Sequence, residues 1–290
     1  MKLLGVGIAT LDIVNTVKNY PNEDDEVRAV SRKMVRGGNV TNSLNILSQL
    51  GHECEWAGML ADDEPSQLVK NDLDNSHIGH ELALTVKNAE LPVSYITLNA
   101  QNGSRTIVHY RNLEEYSSEH FCKIDPREFD WIHFEGRNVP ELAKMFQYLV
   151  ANGYSKFSLE VEKHREGLED LFAYPELIMF SRGYVHDAHE SVKAFFETLR
   201  QKKVKADLFC AWGKAGGWAM NKSNQLFQQP AFQPESVVDT LGAGDVFNAG
   251  VLHTFLNGYS TDSALEFACQ IAGFKCGIEG FEGIGELFRP

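Results

Sequence analysis

The chain has 290 residues, 43% of them hydrophobic and 23% charged, which is ample material for the core of one large α/β domain. Its formal net charge of −13 argues against a nucleic-acid surface, because phosphate binding is driven by Lys and Arg. The five cysteines (Cys54, Cys122, Cys210, Cys269, Cys276) form no CxxC pair and the ten histidines no HxH or HxxxH cluster, so neither a disulfide framework nor a zinc site is expected.

The opening MKLLGVGIATLDIV reads as one buried strand, since Asp12 interrupts the apolar run and no small-residue cleavage site follows. No stretch approaches the roughly 18–20 apolar residues of a membrane span, so a cytoplasmic protein is expected. A polar stretch, KNYPNEDDEVRAVSRKMVRGG, precedes NVTNSLNILSQLG, where Val40, Leu44, Leu47 and Leu50 fall at helical spacing and Gly51 suits the C-terminus. ECEWAGML reads as a strand and PSQLVKNDLDNSHI as a helix. Residues 91–111 hold two alternating runs joined by Asn102-Gly103, a hairpin signal. FDWIHFEG is a further strand. The chain then alternates helix (ELAKMFQYLVANG), strand (KFSLEVE), helix (EGLEDLFAY), strand (LIMFSRG), helix (SVKAFFETLRQKK) and strand (ADLFCAW). Such alternation implies a mostly parallel sheet with helices on both faces. We expect a single α/β domain over residues 1–290, with a small β appendage built from about 12–33 and 91–111.

Chemistry concentrates in SVVDTLGAGDVFNAG. A strand is expected to end near Val238 and a helix to begin around Asp245, with Gly242, Ala243 and Gly244 in the turn between. Amides of such a turn point into a common space at the positive end of a helix and bind anions. A carboxylate beside that nest would repel the ligand unless it has chemical work, and accepting a hydroxyl proton during phosphoryl transfer is such work.

DTLGAGD resembles the C-terminal signature of the ribokinase/PfkB family of sugar kinases, and VRGGNVTNSLNILSQLG its N-terminal signature, in the same order and about 200 residues apart. YPNEDDEVR, NGSRTIV, WIHFEGRN, EVEKHRE, CAW and CQIAGFKCGIEGFEGI resemble the ketohexose-phosphorylating members. The resemblance implies a three-layer α/β/α ribokinase-like core with a β-sheet lid, ATP with Mg²⁺, and γ-phosphoryl transfer to a sugar hydroxyl, with fructose to fructose 1-phosphate as the leading reaction. Another sugar, a nucleoside, or a non-catalytic regulator are the alternatives. It implies Asp245 as base, Gly242, Ala243 and Gly244 as anion hole, and Asp12, Asp24, Gly38, Asn39 and Asn42 as sugar contacts. Arg105 would reach the ATP phosphates, Gly213, Lys214, Ala215 and Gly216 would form the nucleotide loop, and Phe232, Phe247 and Cys269 would wall the adenine. Core packing is the plainer role for the last three, and helix capping for Asn39 and Asn42. Glu160 or Glu162 would hold the metal through water. K⁺ is a further implied cofactor, near Gly277 to Gly283. Ser104 departs from the Asn of the resembled pattern, which puts one sugar contact in doubt. A homodimer through the lid strands is expected, because a few-stranded sheet needs its apolar face covered.

Overall fold

The computed structural model describes residues 1–186 and 191–289. In chain order the elements are β1 (Lys2–Val6), β2 (Thr10–Val17), β3 (Ser31–Gly37), α1 (Asn39–Gln49), β4 (Glu53–Ala57), β5 (Met59–Ala61), α2 (Glu64–Asn75), β6 (Ile78–Gly79), β7 (Leu84–Val86), β8 (Val93–Asn99), β9 (Arg105–Tyr110), α3 (Ser118–Phe121), β10 (Trp131–Glu135), α4 (Val139–Ala151), β11 (Phe157–Val161), β12 (Leu177–Phe180), α5 (Arg182–His186), α6 (Val192–Gln201), β13 (Asp207–Ala211), β14 (Gly217–Met220), β15 (Leu226–Gln229), α7 (Ala243–Leu256) and α8 (Thr261–Lys275).

A nine-stranded sheet has the order β15-β14-β13-β12-β11-β10-β1-β4-β6, parallel from β13 to β6 and antiparallel at β14 and β15. Its strands are apolar on both faces because helices cover both. Along β12, Ile178 and Phe180 enter one core with Phe134, Phe146 and Phe196, while Leu177 and Met179 enter the other with Leu44, Trp56 and Val251. Two cores on either side of one sheet make the three-layer α/β/α architecture. A separate four-stranded sheet, β3-β2-β8-β9, projects from it. Among the described residues no helix is long and apolar enough to cross a membrane.

Local chemistry redraws several boundaries. LLGVGIATLDIV is two strands, split at Gly7–Ala9: β1 joins the large sheet and β2 the small one. The small sheet spans β2 and β3 from Thr10 to Gly37, beyond the expected 12–33, and its hairpin loop is residues 100–104 with Gly103 at φ 69°. EGLEDLFAY supplies only a short 3-10 turn, Leu168–Ala173, before Pro175. No strand precedes the glycine turn: Val237 and Val238 are 62% and 57% exposed, and α7 starts at Ala243. GKAG leads into another strand, β14, where a strand-to-helix turn was the plain expectation.

Candidate active site

The carboxyl ends of β10 and β11 meet the N-termini of α1 and α7, and side chains from all four elements converge there. α1 can start where it does because Gly38 takes φ 111°; a β-carbon at that position would run into the Ile8 carbonyl. No side chain caps this helix, so Asn39 and Asn42 are free for other bonds, contrary to their plainer capping role. Asn39 Nδ2 donates to Glu160 Oε1 at 3.0 Å and to Glu162 Oε2 at 3.4 Å. Asn42 Nδ2 donates to Asp245 Oδ2 at 2.8 Å, and Arg36 Nη1 donates to Asn42 Oδ1 at 3.2 Å, which orients the amide. Ser43 Oγ donates to the Asp245 carbonyl at 3.0 Å. Glu135, at the end of β10, accepts from Val40 N at 2.9 Å and from Ile8 N at 3.1 Å, locking α1 to the first crossover.

Glu135, Glu160 and Asp245 are 5%, 7% and 8% exposed, and each is pushed upward in pKa by burial first. Asp245 rises to about 8, with the Glu135 and Glu162 charges adding to the shift and the Asn42 hydrogen bond opposing it. Glu160 lies well above the ordinary carboxylate range, with Asp245, Glu135 and Glu162 adding their repulsion. Its Oε2 is buried without a hydrogen-bond partner among the described residues. This is a site short of positive charge. The described residues contain no cluster of three His, Cys, Asp or Glu able to cage a metal directly. The unpartnered Oε2 of Glu160 fits a divalent ion reached through water, which would neutralise negative charge there when bound.

Gly242 caps α7 at φ 74° with no side-chain bond, and a β-carbon on it would collide with the Phe281 ring. The first-turn amides of α7 have no side-chain cap, and Ala243 N makes only a long 3.4 Å bond to the backbone carbonyl of Thr240. A β-carbon at Gly244 would meet nothing within 4 Å. Open space beside unsatisfied donors at the positive end of a helix is what an anion requires.

The turn rests on a buried ion pair that sequence reading missed. Lys275 has a fully buried side chain, and its Nζ lies 2.8 Å from the Asp239 carbonyl and 2.9 Å from Asp239 Oδ2. Asp239 also accepts from Leu241 N at 2.9 Å and from Gly280 N at 3.2 Å. Through the Gly280 amide, Asp239 also ties the segment Gly277 to Gly283 to the turn.

Gly216, at φ 91°, sits so close to the Gln229 carbonyl that a β-carbon would clash, and the β-carbon position of Gly217 lies against Phe247, Leu265 and Cys269. Phe247 and Cys269 are core residues, as their plainer role had it, and burial lifts the Cys269 thiol to about 12. Phe232 is 46% exposed, at the rim of that region. Gly213, Lys214 and Ala215 form a 3-10 turn before Gly216. Asp12 lies on β2, half-buried, with Thr10 Oγ1 donating to its Oδ1 at 2.9 Å; Arg36 bears electrostatically on both Asp12 and Asp245. Arg105 is exposed at the start of β9. Asp24 is exposed in the loop between β2 and β3 at φ 65°, and the described hydrogen bonds do not tie it to the other candidates. Glu135 and Arg36 went unremarked in the sequence; an acid closing an apolar strand before Gly136 was the available signal for the first.

Two cavities are about 720 Å³ each, one between β3 and residues 279–289, lined also by Arg36, Asp239 and Leu241, and the other around His52 and His253.

Residues 2–282 match the model of the pfkB family of carbohydrate kinases. Ketohexokinase from Mus musculus is 39% identical over 295 residues, covering 98% of both chains. ATP-dependent ribose-1-phosphate kinase from Halopiger xanaduensis is 23% identical, over 97% of this chain and 93% of that relative. The structure of Arabidopsis thaliana ribokinase complexed with ribose and ATP superposes with a TM-score of 0.78 at 17% identity, over 96% of this chain and 93% of the other. With its three-layer core, its small projecting sheet and a family match over nearly its whole length, the chain belongs to the pfkB family of carbohydrate kinases.

Proposed function

We propose that the protein is an ATP- and Mg²⁺-dependent kinase that transfers the γ-phosphoryl group of ATP to the 1-hydroxyl of fructose. The observation that carries this reading is the placement of the Asp245 carboxylate, held by Asn42, beside the open first turn of α7. Asp245 takes the hydroxyl proton as the oxygen attacks phosphorus, and the amides of Gly242, Ala243 and Gly244 receive the charge that spreads over the phosphoryl oxygens. Asp12, Gly38, Asn39 and Asn42 hold the sugar, with Asp24 brought in by the small sheet acting as a lid. Arg105 reaches the phosphates from that lid, and the turn Gly213–Gly216 with Phe232 and Cys269 borders the base. Glu160 or Glu162 would hold the metal through water. The choice of fructose is supported by the 39% identity to ketohexokinase. Within this reading the protein is cytoplasmic and dimeric through the lid strands.

An ADP-release assay across fructose, tagatose, ribose, glucose and adenosine tests it. Fructose is expected to give the highest kcat/KM. A clear preference for ribose or adenosine would overturn the specificity alone, and no ADP release with any acceptor would overturn the kinase.

A further inference from the structure

Asp12, Ser94 and His109 form one row across the small sheet. Asp12 pairs with Ser94 in the parallel ladder of β2 and β8, and Ser94 with His109 in the antiparallel ladder of β8 and β9, so the three side chains share a face. Ser94 Oγ lies 3.2 Å from His109 Nδ1, and the Ser94 hydroxyl also hydrogen-bonds the Asp12 carboxylate. Burial raises the Asp12 pKa, but in its ionised form the carboxylate only accepts; Ser94 then donates its proton to Asp12 and its oxygen accepts from Nδ1–H of His109. That chain fixes the tautomer and leaves the lone pair of Nε2 outward. Burial, followed by the charges of Arg137, Arg111 and Lys163, lowers the His109 pKa and favours this neutral form, against the opposing pull of Asp12.

We infer that His109 is a specificity-determining residue: its Nε2 accepts a hydrogen bond from a hydroxyl of the acceptor sugar other than the one phosphorylated. This rests on the proposed kinase reading and deepens it. One strand, β8, lies between Asp12 and His109, so two inter-strand spacings put their backbones roughly 10 Å apart. Both side chains lean onto Ser94, so Asp12 and the outward Nε2 of His109 border one patch of that face, and a hexose held at Asp12 can place a second hydroxyl at His109. His109 is exposed on β9, so replacing it leaves the core intact.

The test compares His109→Leu and His109→Gln with the parent enzyme, using fructose and its monodeoxy analogues. His109→Leu is expected to raise the sugar KM by about 3–10-fold with the KM for ATP unchanged, the range of one neutral hydrogen bond. His109→Gln, which keeps an acceptor, is expected to recover most of that loss. The parent should reject one monodeoxy analogue that His109→Leu no longer distinguishes from fructose. An unchanged sugar KM in His109→Leu, or an identical analogue pattern in parent and variant, overturns the inference while leaving the kinase standing. Calorimetric titration with fructose reads the same contact without turnover: should ADP release fail throughout, the kinase reading falls, and equal fructose affinity in parent and His109→Leu still decides against His109.

Discussion

Asp245 carries two opposed demands. As the proposed base it must be ionised, yet burial and the neighbouring carboxylates favour its neutral form. Asp245→Asn is expected to lower kcat by roughly 10²–10⁴, the usual worth of a general base, with sugar and nucleotide binding little changed; turnover near the parent's would refute the assignment. The same substitution is expected to stabilise the fold. The folded pKa of about 8 exceeds the 3.8 of an unperturbed carboxylate, so stability is full below about pH 4 and is lost as pH rises through 8. Thermal melts should therefore place Asp245→Asn above the parent at pH 8 by on the order of a few degrees, with the gap closing toward pH 4. A gap that widens on acidification would reverse the sign argued for Asp245.

At the scale of elements, the turn before α7 keeps its shape through the Lys275–Asp239 pair and the Phe281 ring against Gly242. Lys275→Met leaves Asp239 buried without its counter-charge and is expected to cost about 3–5 kcal/mol in urea unfolding, as for a broken buried pair. Adding Asp239→Asn should return part of that loss; a double variant no more stable than Lys275→Met would show that the pair is not the cause. The β8–β9 hairpin gives a second test. If Arg105 meets phosphate, Arg105→Ala should raise the KM for ATP by about 10–100-fold, matching roughly 1.5–3 kcal/mol for a charge-assisted bond. Unchanged ATP kinetics would leave Arg105 a solvated hairpin residue. α1 and α7 were legible because apolar spacing and glycine positions are local signals. The missing strand at Val237–Val238 was not, because pairing depends on a neighbour that the local sequence does not reveal.

Across the whole molecule, the register of the small sheet lines up Met34, Ile13, Tyr95 and Val108 in one row on one face. Met34, Tyr95 and Val108 are 43%, 51% and 65% exposed. Ile107, the neighbour of Val108 in the chain, points to the opposite face with Ile96. A four-stranded sheet with such a row exposed gains by covering it, and a second copy of the lid is the proposed cover. Light scattering at micromolar concentration is expected to give a dimer for the parent and a monomer for Val108→Asp. A parent monomer with full activity would defeat the dimer and its link to the site together.

The order of glycines and acids in DTLGAGD, the glycine pair before α1 and the alternation of apolar runs were enough for the family, the layered fold and the identity of Asp245 as the centre of interest. These are local signals, carried by backbone conformation and period. Contacts across long separations were not readable: Asn42 to Asp245 spans 203 positions, and Asn39 to Glu160 spans 121. The same holds for Asp239 with Lys275 and for the row joining Asp12, Ser94 and His109, whose members come from separate strands. Burial at these places sets which carboxylates stay protonated and which amides stay free, and burial belongs to the packed chain, because desolvation depends on every neighbour that displaces water.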